Sequence, residues 1–228
     1  MTQVLVVDVG GSKVKILLTG EQVPRRAPSG PKFTAQQMVE AVQQLGEGWE
    51  WDVVSVGIPS PVHGGRVATD PVNLGKGWAG FDYEAAFGKP TKVVNDAAMQ
   101  ALGSYDGGKM LFLGLGTGLG SSLVVDGVVE PMELGHLPFK KATYETYVGE
   151  AGLERLGKKR WRKLVLETID SFTKALEPDY VVLGGGNAPL LGEPLPPNVR
   201  LGDNRNAFLG GFRLWDPAQP ADVAGESL

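Results

Sequence analysis

The chain has 228 residues and a mass of 24.2 kDa, with 42% hydrophobic and 21% charged residues, enough for one large α/β domain or two small ones around a real core. A formal charge of −4 and an isoelectric point near 5.3 exclude a chain-wide nucleic-acid footprint, so no nucleic-acid partner is expected. The absence of cysteine excludes disulfides, thiolate zinc sites, iron–sulfur clusters and a cysteine nucleophile, and two histidines leave little for a histidine-built metal centre.

Val4–Val9 reads as a buried strand entered at once. No signal peptide is read ahead of it, and no apolar run approaches the roughly 18 residues of a membrane span, so the expectation is a cytoplasmic protein without a membrane partner. Lys13–Leu18 alternates polar and apolar residues and should pair back on that strand through a glycine turn. Pro24–Pro31 reads as a loop. Thr34–Leu45 reads as a short helix with Thr34 as its N-cap. Val53–Gly57 is a second buried strand. Pro59–Gly80 is rich in Pro and Gly and should be a long shaped loop with a small hairpin at Arg66–Thr69.

Thr91–Val94 predicts a strand running into Asn95-Asp96, with a helix over Ala97–Leu102. Met110–Leu115 is a further buried strand, and Ser121–Asp126 should pair with it, with Asp126-Gly127 as a hairpin-turn signal. Thr143–Leu156 reads as helical. Trp161, Leu164, Val165, Ile169, Phe172 and Leu176 fall on one stripe of an amphipathic helix over Trp161–Leu176. Tyr180–Leu183 is a strand into Gly184-Gly185-Gly186, and 217–228 reads as a disordered tail. One pattern occurs twice, at 4–18 and at 110–126: a buried strand, a glycine-rich turn and a hairpin partner. It suggests two similar α/β halves, each presenting a glycine turn to a shared ligand.

Four constellations carry candidate chemistry. In Asp8-Val9-Gly10-Gly11-Ser12-Lys13-Val14-Lys15, backbone N–H groups at Gly10 and Gly11 can approach a phosphate closely and Ser12 adds a hydroxyl. Asp8 stands at a strand end where it could hold Mg²⁺ through water. The same residues also make a tight hairpin with a capping Asp, and both readings stand. In Gly114–Ser122, Gly116, Thr117 and Gly118 suit a second phosphate turn, and no register gives the dinucleotide pattern G-x-G-x-x-G; a flexible glycine loop is the plain alternative. Gly103–Met110 imitates a P-loop, but Met110 stands where Ser or Thr must bind Mg²⁺, so it is rejected. Asn95-Asp96 places a carboxylate where it could take a proton from a hydroxyl, although an isolated Asn-Asp is more often an N-cap. Glu133, His136 and Glu145 could bond a polyhydroxylated ligand, or belong to a surface loop and a helix start. His63, in the Pro/Gly loop, reads as polar surface.

These motifs, in this order, resemble the ROK family of sugar kinases, within the group sharing the actin and hexokinase ATPase core. The resemblance runs from Asp8 to about Trp215 and rests on Asp8–Ser12, Gly57–Val62 with Asn73–Gly80, Asn95-Asp96, Leu115–Ser122, Glu133–His136 and Val181–Asn187. It implies an α/β fold of two actin/hexokinase-like (ribonuclease H-like) domains with the site in the cleft between them. The first would span 1–96, with 205–216 packing back on it, and the second 97–204. It implies Asp96 as general base, with Asn95, Asp96, Glu133, His136 and Glu145 on sugar hydroxyls. It assigns Asp8, Gly10, Gly11, Ser12, Lys15, Gly116, Thr117 and Gly118 to phosphates, with Mg²⁺ as cofactor near Asp8.

The family's cysteine-rich zinc segment is replaced here by Leu137–Tyr144, and the phosphate strand starts at residue 4, without the DNA-binding extension of the family's repressors. The lack of cysteine, with Gly-Gly-Ser, Lys158-Lys159-Arg160-Trp161 and Asn204–Gly211, is similar to the polyphosphate glucokinase branch. That implies phosphoryl transfer from polyphosphate, ATP or both to the 6-hydroxyl of glucose, and a homodimer. The alternatives are an ATP-dependent kinase for another hexose such as mannose, and a sugar-binding protein without turnover. Residues 140–163 hold eight cations against three carboxylates, a local balance of +5 on an otherwise −9 chain, which fits a polyanion groove or a solvated helix face.

Overall fold

The computed structural model describes residues 2–203 and 205–216; the tail expected over 217–228, and Asn204, lie outside the described residues. β1 (Val4–Val9) is buried along its whole length and pairs antiparallel with β2 (Lys13–Leu18) in the expected hairpin, Asp8 opposite Lys15. The stretch read as a loop over Pro24–Pro31 contains a third strand, β3 (Arg25–Pro28), which pairs with β2. A half-exposed edge strand with two prolines nearby carries no apolar alternation, so its pattern was invisible. α1 (Ala35–Leu45) starts from Thr34 in a reciprocal capping box with Gln37. β4 (Val53–Ile58) follows. The small hairpin lies earlier than expected, β5 (Val62–His63) with β6 (Arg66–Val67), because the Gly64-Gly65 pair takes the turn. His63 is exposed, as read. α2 (Tyr83–Phe87) leads into β7 (Thr91–Asn95) and α3 (Asp96–Ser104).

The second half repeats the plan. β8 (Lys109–Leu115), β9 (Leu119–Val125) and β10 (Val128–Met132) form an antiparallel meander turning at Asp126-Gly127. β11 (Pro138–Phe139) and β12 (Ala142–Thr143) make a short ribbon. The helix expected over Thr143–Leu156 is broken at Gly149 into α4 (Tyr144–Val148) and α5 (Glu150–Leu176). α5 absorbs the predicted 161–176 helix, with a non-helical Gly157 inside it. β13 (Tyr180–Gly184), β14 (Val199–Leu201) and α6 (Asn206–Arg213) complete the chain.

The two sheets have matching orders, β3-β2-β1-β4-β7 and β10-β9-β8-β13-β14, with the last three strands parallel in each. Alternation along β1 and β8 sends side chains to opposite faces and makes five layers. Leu5, Val7 and Val9 pack on α1; Val4 and Val6 face α6. Met110 and Phe112 face α3; Leu111, Leu113 and Leu115 meet the Trp161, Leu164, Val165, Ile169 and Phe172 stripe of α5. α3 and α6, each following the last strand of its sheet, therefore share the middle layer. They cross at Gly103 and Gly210, where a Cβ on either would run into the other helix's backbone. Ser55 of β4 donates to the Gly211 carbonyl at 2.7 Å and Trp215 Nε1 donates to Ser55 at 2.9 Å, tying this C-terminal segment to the first sheet.

Candidate active site

Asp8 lies on the interlayer face of β1, its side chain only 12% exposed, and accepts a 3.0 Å bond from Lys15 Nζ. Lys15 is thus engaged by the carboxylate opposite it. In the first turn Gly10 donates its N–H to the Lys13 carbonyl at 3.0 Å, and Ser29 Oγ donates to the Gly10 carbonyl at 2.6 Å. The Gly10 N–H therefore closes the turn and is not offered to a ligand. The N–H groups of Gly11 and Ser12 meet no protein acceptor among the described residues, and both residues are exposed. They are what remains for an anion.

Asn95 caps α3 and Asp96 is its first residue. Asn95 Oδ1 accepts from Ala97 and Ala98 N–H at 2.9 and 3.1 Å, and Nδ2 donates to the Ser60 carbonyl at 3.2 Å. The capping role that the dipeptide permits is the one Asn95 takes, which leaves one Nδ2 hydrogen for a ligand. Ser60 is itself held by its hydroxyl on the Thr69 carbonyl at 2.6 Å. Asp70 accepts from Trp78 and Ala79 N–H at 2.8 and 3.2 Å, and these bonds hold its carboxyl below the usual range. The long Pro/Gly loop is thereby fastened at Ser60 and Asp70, two residues the motif reading did not single out. Ser60 directly precedes Pro61 within a quoted motif, which was the only available signal.

Asp96 Oδ1 accepts from Ala97 N–H at 2.8 Å. Burial pushes its carboxyl up to about 7, and the charges of Asp8 and then Glu133 push the same way, against the lowering by backbone N–H bonds. The residue as a whole is half-buried. Carboxylates from two other stretches of sequence thus act on Asp96.

The second turn joins β8 to β9. Gly116 donates to the Gly118 carbonyl at 3.2 Å, leaving the Thr117 and Gly118 N–H groups without protein acceptors among the described residues. Glu150, opening α5, donates its N–H to the Gly116 carbonyl at 2.9 Å, and Asn187 Nδ2 donates to that same carbonyl at 3.3 Å. Glu145 packs against the second turn so closely that a Cβ at Gly118 would meet its carboxylate, and Oε2 accepts from Leu119 N–H at 3.4 Å. Glu133 precedes a 3-10 turn (Leu134–His136) that His136 ends; the two side chains are 55% and 66% exposed, with 3.6 Å between Oε2 and Nδ1. Among the described residues no group of three His, Cys, Asp or Glu side chains could hold a metal by itself. Nor is any helix among them long and apolar enough to cross a membrane.

No family model matches the chain. It is 28% identical over 205 residues to a polyphosphate glucokinase of Mycobacterium tuberculosis, covering 79% of this chain and 76% of that protein. Its fold matches the inorganic polyphosphate/ATP-glucomannokinase of Arthrobacter sp. strain KM with a TM-score of 0.80 at 24% identity, over 92% of this chain and 97% of that one. A ROK family glucokinase from Streptomyces griseus, solved with glucose and AMPPNP, matches with a TM-score of 0.74 at 16% identity, over 93% and 98%. These likenesses bear out the resemblance read from the motifs, and the paired sheets are the two halves of an actin/hexokinase-like fold.

Proposed function

We propose that this chain is a sugar kinase that transfers a phosphoryl group from polyphosphate, and from ATP, to the 6-hydroxyl of glucose. The observation that carries this reading is Asp96, a carboxylate raised to about 7 by burial and by the charges of Asp8 and Glu133, in a chain whose two glycine turns keep N–H groups that meet no protein acceptor among the described residues. A base of that strength holds a proton poorly above neutrality and well below it, which suits removal of a hydroxyl proton at physiological pH. The polyphosphate donor is supported by the names of the relatives, and ATP by the AMPPNP complex of the Streptomyces neighbour.

In this reading the Gly11, Ser12, Thr117 and Gly118 N–H groups hold donor phosphates. Asp96 takes the proton as the sugar oxygen forms its bond to phosphorus, and the bond to the next phosphate breaks, its electron pair leaving with that phosphate. Phosphoryl transfer needs positioning and charge neutralisation more than covalent help, and closure of the two halves would exclude water. Asp8 is the residue that would hold magnesium: one of its carboxylate oxygens accepts from Lys15 and the other meets no protein donor among the described residues. When bound it supplies neutralisation of the donor's charge. Chelation with excess EDTA is expected to abolish turnover, with recovery on adding Mg²⁺. Turnover that persists after exhaustive chelation would remove the metal from the scheme.

The sugar side falls to Glu133, His136, Glu145 and the free Nδ2 hydrogen of Asn95. Glu133→Ala and Glu145→Ala are each expected to weaken glucose binding by about 1–3 kcal/mol, measured by calorimetry, because sugar hydroxyls lose charged partners. Donor affinity should move little for Glu133→Ala. A collapse of donor affinity there would put the residue on the wrong side of the cleft. The deciding experiment is a coupled assay for the sugar 6-phosphate, with glucose or mannose offered against polyphosphate or ATP. Product from no combination would refute the kinase reading and favour a sugar-binding protein without turnover.

A further inference from the structure

Leu137–Tyr144 is a short detour between two of the residues assigned to the sugar: His136 directly precedes it and Glu145 directly follows it. The Tyr144 N–H ties its ends by donating to the Leu137 carbonyl at 3.1 Å, and β11 and β12 pair within it. Thr143 then caps α4, its hydroxyl accepting from Thr146 N–H at 3.4 Å, which makes Tyr144 and Glu145 the first two residues of that helix. Neighbours on a helix are about 100° apart, so the two side chains leave α4 in different directions.

Tyr144 goes to α5. Its ring stacks on Phe139 of β11, centroids 4.3 Å and planes 13° apart, and meets the buried Phe172 of α5 at 4.6 Å. Phe139 in turn meets Tyr147 edge-on at 5.6 Å and lies under Lys140 Nζ at 4.4 Å, and Lys140 donates to Glu167 of α5 at 3.0 Å. The ribbon is thus docked on the long helix by an aromatic stack with an ion pair at its edge. Glu145 goes the other way. A Cβ on Gly135, in the turn between Glu133 and His136, would come within 3.5 Å of the Glu145 Cβ, and a Cβ on Gly118 would meet its carboxylate. α4 therefore seats Glu145 between that turn and the second glycine turn. The Tyr144 hydroxyl makes no hydrogen bond among the described residues, so what this side chain supplies is the ring.

We infer that Tyr144 is a positioning residue for the sugar site: wedged between Phe139 and Phe172, it fixes the rotation of α4 and so holds the Glu145 carboxylate beside the turn that carries Glu133 and His136. The inference rests on the proposed sugar role of Glu145. α4 spans five residues, too short to hold an orientation of its own, so its rotation is set by what docks it. A hydrogen bond tolerates only a narrow range of lengths, and a carboxylate displaced by ~1 Å no longer reaches a sugar hydroxyl.

The test is a double-mutant cycle on binding of glucose, or of mannose if the chain prefers it, read by calorimetry on the full chain with the coupled assay alongside. Tyr144→Leu is expected to raise the sugar's dissociation constant by roughly five- to thirtyfold, within what loss of a charged hydrogen bond costs. The sugar KM should rise with it while kcat stays within threefold, because Asp96 stands on another helix. Tyr144→Phe keeps the ring and should bind sugar within twofold of the parent. In the Glu145→Ala background, Tyr144→Leu should weaken sugar binding by less than a further twofold, since the group it positions is gone. Losses that add in the double variant, unchanged sugar affinity in Tyr144→Leu, or a Tyr144→Phe variant as weak as Tyr144→Leu would each overturn the assignment. If Tyr144→Leu does not fold, Phe139→Leu replaces it, removing the other half of the stack, and the same pattern is expected. The two readings fail separately. Coupling between Tyr144 and Glu145 in a chain that phosphorylates no sugar keeps the positioning and removes the reaction; additive losses in a chain that phosphorylates its sugar do the reverse. A parent that binds neither sugar overturns both.

Discussion

Asp96→Asn is expected to lower kcat by roughly 10²–10⁴ while sugar affinity changes little, because the amide keeps the side chain's size but cannot accept the hydroxyl proton. kcat/KM of the parent should rise with pH and level off above about 7, and the residual activity of the variant should lose that rise. Stability should move in the opposite sense. The Asp96 carboxyl is raised in the folded protein, so the fold binds its proton more tightly than the unfolded chain does. Its contribution to stability is complete below about pH 4 and is lost as the pH climbs through about 7. Asparagine carries no charge to desolvate beside Asp8. In ligand-free, metal-free protein at pH 8, Asp96→Asn should therefore be more stable, on the order of 2 kcal/mol once screening at this partly open position is allowed for. The gain should disappear at pH 4. Thermal melts at the two pH values check this, and turnover within twofold of the parent would remove Asp96 from the mechanism.

The largest stability loss is expected at the α3–α6 crossing. A Cβ at Gly103 would lie inside the Asn206 carbonyl and close to the Gly210 backbone; a Cβ at Gly210 would meet the Met99 carbonyl. These obstacles are backbone atoms of packed helices, which cannot rotate away as a side chain can. Gly103→Ala should cost about 3–5 kcal/mol by forcing the helices apart, and the thermal midpoint should fall by roughly 6–20 °C. Ordinarily alanine in a helix is worth nearly 1 kcal/mol over glycine, so the sign itself is diagnostic. Gly210→Ala opens the same contact, so the double variant should lose much less than the sum of the two single losses. Additive losses, or a stabilised Gly103→Ala, would mean that the helices tolerate separation. Because Asp96 sits on the first turn of α3, surviving protein should also show a raised KM or lowered kcat.

Local chemistry determined much of this protein. The β1–β2 hairpin was legible because Val4–Val9 is apolar throughout and Lys13–Leu18 alternates, with only a glycine turn between them. The Thr34 cap and the α5 stripe were legible because caps and 3.6-residue periodicity are contained in a few turns of chain. The duplication was visible at its strand–turn–strand core, and the motif order resembled that of the ROK sugar kinases. What stayed hidden has partners far away in sequence. β3 and β14 are short edge strands recognisable only from the strands they join. The break at Gly149 and the non-helical Gly157 interrupt an otherwise helical pattern, and glycine alone does not say whether a helix will stop. Asn95 and Asp96 are adjacent and similar, yet the fold assigns one to cap α3 and leaves the other enclosed beside Asp8 and Glu133. Which turn amides stay free and which carboxylate resists ionisation are properties of three-dimensional neighbours, and tertiary packing alone decided them.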